Sequence, residues 1–105
     1  MKKLTQSFNR TTLVVGETFE IELAAASGGG YLWQAENLPD HVTLVGSRYK
    51  LHDYKKHHIG SHATQVFTLK AARPGDILLT MVHQRPWNKE AIDSCTFNLQ
   101  IKPSP

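Results

Sequence analysis

The chain has 105 residues, with 12 Lys or Arg against 9 Asp or Glu and a formal net charge of +3. That is one domain's length, enough to bury a core without disulfides or metal, and the single cysteine, Cys95, excludes an internal disulfide. The positive charge is mild and dispersed, with pairs at Lys2-Lys3 and Lys55-Lys56 instead of a basic face, which argues against nucleic-acid binding.

Along the chain, Met1 to Phe8 begins with charge but has no apolar stretch behind it, so it is not a complete secretory leader. The localisation is cytoplasmic as the sequence stands, and periplasmic or secreted if a leader has been removed. No run is long enough to span a membrane. Thr12 to Val15 is a strand candidate, and Val15-Gly16-Glu17 reads as a tight turn. In Thr18 to Leu23 the apolar Phe19, Ile21 and Leu23 alternate with Glu20 and Glu22, the pattern of a half-buried antiparallel strand with its carboxylates outward.

Ala26 to Gly30 follows as a loop with three consecutive glycines. Strand candidates resume at Tyr31 to Glu36, which carries Trp33, and at Val42 to Tyr49. The segment from Lys50 to Ala63 is long, polar and rich in histidine, and long loops in compact domains are commonly functional. Phe67, Leu69 and Ala71 alternate with Thr68 and Lys70. Arg73-Pro74-Gly75-Asp76 reads as a turn, Ile77 to Val82 as a central strand apolar on both faces, Arg85 to Asn88 as a loop, and Cys95 to Ile101 as a final alternating strand.

No helical periodicity, internal repeat or low-complexity linker interrupts this series. About seven to eight short antiparallel strands separated by turns predict an all-β, immunoglobulin-like β-sandwich spanning residues 1–105 as a single domain, with its core at about 11–101. An open β-barrel is the competing architecture.

Three loops stand out as surfaces for a protein partner. Glycines at 28–30 let a backbone approach another surface closely, although a plain hairpin turn has the same composition. Gly60 to Thr64 is built of ordinary turn residues. In Arg85-Pro86-Trp87 the proline stiffens the chain and an aromatic lies beside an arginine, which is interface hot-spot composition; Trp87 folding back onto its own sheet and Arg85 as a solvated charge are the alternatives. His57, His58 and His62 share one loop but match no zinc spacing, so no metal and no cofactor is expected. Cys95 alternates inward with Phe97 and Leu99, where a cysteine serves as a small apolar residue and not a nucleophile. The carboxylates form no catalytic pair, and no enzyme is expected.

In order and spacing, the three loops resemble those of the chagasin family, protein inhibitors of papain-like cysteine proteases. The likeness runs from about Thr11 to Ile101. The family's first loop reads Asn-Pro-Thr-Thr-Gly-aromatic-x-Trp; here Ala26-Ser27-Gly28-Gly29-Gly30-Tyr31-Leu32-Trp33 takes its place, matching at Gly30, Tyr31 and Trp33. The second, Gly-rich loop is similar to Gly60-Ser61-His62-Ala63, with His62 and Ala63 where glycines are usual. The third matches Arg85-Pro86-Trp87 completely, followed by Asp93 and a final strand.

The resemblance implies a sandwich with the three loops side by side at one end, forming a wedge that fills a protease cleft. Its protease-binding residues would be Ser27, Gly28, Gly29, Gly30 and Tyr31 of the first loop, Gly60, Ser61, His62 and Ala63 of the second, and Arg85, Pro86 and Trp87 of the third. The first loop would lie over the catalytic Cys and His with no correctly placed scissile bond. Inhibition would be competitive, reversible and non-covalent, with no catalytic residue in the inhibitor and a monomer as the acting species. Gly28 and Gly29 in place of two threonines would make the free tip more mobile, Ser27 in place of proline points the same way, and ordering a loop costs about 1 kcal/mol or more per fixed residue. Weaker inhibition, a different target, or an immunoglobulin-like binding module that has lost inhibition are the corresponding expectations.

Overall fold

The computed structural model describes residues 1–25, 31–51, 63–85, 87 and 90–105, the side chains of Leu51 and Ala63 excepted. Eight strands run in chain order: β1 (Lys2–Leu4), β2 (Arg10–Val14), β3 (Thr18–Ala25), β4 (Leu32–Asn37), β5 (Val42–Leu51), β6 (Ala63–Ala71), β7 (Gly75–Gln84) and β8 (Asp93–Lys102). They form two four-stranded sheets, ordered β1-β3-β6-β5 and β2-β8-β7-β4. No helix among the described residues is long and apolar enough to cross a membrane.

The sequence alternation becomes the core. Phe97, Leu99 and Ile101 of β8 and Phe19, Ile21 and Leu23 of β3 are buried, meeting Leu13, Phe67, Leu69, Leu79 and Met81 between the sheets. Burying each large side chain contributes about 1.5–3 kcal/mol. Trp33, Phe19 and Phe97 are the largest fully buried side chains.

Two features differ from the sequence expectation. First, the sheets are mixed: β1 pairs parallel with β3 and β2 parallel with β8, while the other pairs are antiparallel. The turns at Thr5 to Phe8 and Val15 to Glu17 do reverse the chain. A reversal does not oblige its two arms to pair, however, and here each arm joins the opposite sheet. β1 itself was not anticipated, yet its Leu4 is completely buried.

Second, Glu20 is only 8% exposed, although its alternation places it on the outer sheet face. Arg48 on β5 reaches over it, with Nη1 3.2 Å from Oε2, and Lys3 lies 3.6 Å from the neighbouring Glu22. Long cationic side chains cover this face through their aliphatic stems.

Candidate functional site

Strand direction and register bring the ends of three connections to one pole. In the first sheet Ala63 stands opposite both Ala25 and Leu51, so β3, β5 and β6 end together there. In the second sheet Leu32 pairs with Gln84 and His83 with Asp93, so β4, β7 and β8 end together. Trp33 joins the two groups: its indole Nε1 donates to the Ala24 carbonyl at 2.8 Å.

Of the sequence-predicted site residues, Ser27, Gly28, Gly29, Gly30, Gly60, Ser61, His62 and Pro86 lie outside the described residues, as do His57 and His58. Ala63 opens β6 at this pole. Tyr31, Arg85 and Trp87 are described, and they come together. The Arg85 guanidinium carbon lies 4.6 Å from the centre of the Tyr31 ring and 6.0 Å from that of Trp87, within cation–π range. Arg85 is thus not a solvated charge: its Nε is buried without a hydrogen-bond partner, and its planar group serves the two rings. Trp87 does not fold back onto its sheet. It is 72% exposed, and Leu32 and Ile92 add exposed apolar surface at the same end.

Beneath these residues lies a floor that the sequence reading did not single out. His83 is 5% exposed and stacks flat on Trp33, with ring centres 4.7 Å apart and planes at 9°. Tyr31 meets the same imidazole edge-on at 5.8 Å and 66°. Gln65, 6% exposed, reaches from β6 across to β4. Its Oε1 accepts from the Trp33 N–H and its Nε2 donates to the Trp33 carbonyl, both at 3.0 Å. β4 is an edge strand, so this amide does for Trp33 what a further strand would have done. Both residues carry a legible signal. Gln65 shares strand parity with Phe67 and Leu69, and His83 shares it with Leu79 and Met81, so each is a polar side chain at a core-facing position.

Burial pushes the His83 pKa below the ordinary imidazole value, with Asp93 pulling partly back. Burial, and secondarily Asp93, pushes the Cys95 thiol up, so it stays protonated and unreactive at neutral pH. Among the described residues no three His, Cys, Asp or Glu side chains gather as metal ligands. A cavity of about 170 Å³ between the free edges of β4 and β5 is lined by residues such as Leu38, Leu44, Phe67 and Met81 and by no titratable group.

The model of the chagasin family of peptidase inhibitors, I42, matches residues 12–101. The fold is similar to the crystal structure of the cysteine protease inhibitor EhICP2 from Entamoeba histolytica, with a TM-score of 0.81 and 24% identity over 96% of this chain and 95% of that one. It is similar also to the solution structure of amebosin (TM-score 0.62, 22% identity, 98% and 97% covered). A further similar structure is PbICP-C in complex with falcipain-2 (TM-score 0.58, 16% identity, 97% and 91% covered). No curated protein sequence matches the chain.

Proposed function

The chain belongs to the chagasin family of peptidase inhibitors, and from that membership we propose that it is a monomeric, reversible, competitive and non-covalent inhibitor of papain-like cysteine proteases. The observation that carries this reading is the gathering of the ends of all three connections at one pole, with Trp87 72% exposed there. The fold neighbour PbICP-C forms a complex with falcipain-2, which supports a protease as the partner of this scaffold.

In the proposed complex the segment Ser27 to Tyr31 covers the catalytic Cys and His, presenting main chain with no scissile bond in register. Gly60 to Ala63 flanks one side of the cleft. On the other side Trp87 packs against apolar enzyme surface, while Arg85, already engaged by two rings, keeps the third segment in shape. The Arg85 guanidinium, 6.0 Å from the Trp87 ring centre, gives that side chain a partner before binding and so lowers the cost of ordering it.

The test is inhibition of papain and of a cathepsin-L-like enzyme by the purified protein. Expected are competitive kinetics, full recovery of enzyme on dilution and an intact inhibitor chain afterwards. The Gly28-Gly29 tip predicts an affinity short of subnanomolar. Absence of inhibition at micromolar protein would overturn the reading and leave a binding module that has lost inhibitory activity.

A further inference from the structure

We infer that His83 is a positioning residue of the recognition end, its neutral imidazole holding Tyr31, and through Tyr31 the Arg85–Trp87 segment, in the arrangement that meets the protease. The inference rests on the inhibitor reading above. The ring contacts form a continuous path: Trp33 on His83, His83 against Tyr31, Tyr31 under Arg85, and Arg85 towards Trp87. Tyr31 ends the first connection and Trp87 lies in the third, so this path ties two separate segments together. Its inner end is immobilised, because Gln65 and Ala24 hold the backbone and the indole of Trp33. The His83 carbonyl also accepts from the Ile92 N–H at 2.8 Å, fixing the return of the third connection.

The imidazole is present for its ring and not for a hydrogen bond at its tip. Its Nε2 is buried without a partner, a desolvation cost that a stacking role offsets and a hydrogen-bonding role would not incur. Such a ring is also sensitive to charge. The titratable and charged groups about it are Asp93, opposite it in the register, Cys95 further along β8, the Tyr31 phenol, and Arg85 beyond Tyr31. A proton on His83 adds a cation to a slot that already has the Arg85 cation on the Tyr31 ring, with Asp93 as the one opposing charge among these groups. Burial already disfavours that proton.

The experiment measures inhibition constants against papain for the wild type, His83→Ala and His83→Phe at about pH 7.5 and about pH 5.5, with two-dimensional NMR spectra of the free proteins. His83→Ala is expected to weaken inhibition about tenfold at the higher pH and to shift the Tyr31, Arg85 and Trp87 signals together. His83→Phe keeps a ring in the slot and is expected to stay within about threefold of the wild type. In a pH series extended down through the titration of the His83 ring signals, the wild type should lose affinity relative to His83→Phe, the enzyme's own titration cancelling in the ratio. An Ala variant with wild-type inhibition, a Phe variant as weak as Ala, or a ratio that stays flat through the His83 titration would overturn the inference. If the Ala variant does not fold by circular dichroism, the pH dependence of the ratio decides. If the wild type inhibits neither papain nor a cathepsin-L-like enzyme, the inhibitor reading fails; the His83 path is then judged by whether the NMR signals of Tyr31 and Trp87 move together in the Ala variant and return in the Phe variant.

Discussion

Among the described residues, the end of the sandwich that carries Gly16, His41 and Gly75 and the end that carries Tyr31, His83 and Trp87 are tied together by different contacts. At the first, backbone bonds tie the turns to both sheets. Val15 N–H donates to the Lys102 carbonyl at 3.0 Å, Gly16 N–H to Ala71 at 2.8 Å, and the Ala72 and Arg73 N–H groups to His41 at 2.7 and 3.2 Å. At the second, the described contacts are mostly from side chains, an amide from Gln65, an indole from Trp33, an imidazole from His83 and a guanidinium from Arg85, beside one backbone bond from the Ile92 N–H to the His83 carbonyl. Backbone bonds fix a turn whatever its side chains, so the first end depends on sequence mainly where positive φ demands glycine, at Gly16 and Gly75. The second end depends on sequence at each of those four side chains.

The largest expected effect comes from breaking the floor. Gln65→Leu strands the Trp33 N–H and carbonyl at a buried edge, and leaving buried polar groups unpaired costs about 2–4 kcal/mol in all. Urea denaturation should show that loss, and inhibition should weaken with it, because β4 leads directly out of the first connection. Trp87→Ala separates the two ends most sharply. It should cost about 2 kcal/mol of binding, roughly 30-fold in the inhibition constant, while the unfolding midpoint stays put, since the side chain is largely in water. Gly75→Ala acts in the opposite sense. Its φ is 147°, and a Cβ there would sit 3.1 Å from the His41 ring. A loss of about 1–2 kcal/mol in stability is expected, with the inhibition constant of the folded protein unchanged. If Gly75→Ala weakened inhibition as Gln65→Leu does, the two ends would not be independent.

The first end and the core were open to reading from the chain; the floor of the second was not. The period-two runs at Thr18 to Leu23 and Cys95 to Ile101 specify buried faces directly, because a pleated strand has no other way to sort its side chains. Gly16 and the Arg73–Asp76 segment mark turns for the same local reason. β1 escaped notice because a three-residue edge strand with one apolar side chain has no period to detect. The parallel pairings of β1 and β2 were hidden because pairing across an arch is a long-range choice. Glu20 looked exposed because Arg48, which covers it, is 28 residues away. His83 and Gln65 were visible as polar residues at core parity, but their partner Trp33 lies on a different strand, and only the packing of the two sheets brings the three together. The proximity of Arg85 to Tyr31 is likewise set by the β4–β7 register and not by sequence spacing.

The smallest predicted effect sharpens the comparison by titration, since the two shifted groups among the described residues, His83 and Cys95, sit at the second end. For His83 the folded state opposes the proton, so between the lowered folded value and the ordinary 6.5 the unfolded chain binds more protons than the native one. Stability contributed by the neutral ring is therefore present above 6.5 and is lost as pH falls below it. For Cys95 the folded state opposes loss of the proton. Its contribution is intact below the ordinary 9.0 and is lost as pH rises beyond it. Denaturation midpoints measured across this range should form a plateau with a shoulder on each side. Carboxylates add their own decline in acid, so the diagnostic quantity is the difference between wild type and variant. His83→Phe should remove the acid shoulder alone, and Cys95→Ala the alkaline one alone. Equal slopes for wild type and His83→Phe below neutrality would mean that the imidazole is charged in the native slot, and that Tyr31 is held by something other than an uncharged stack.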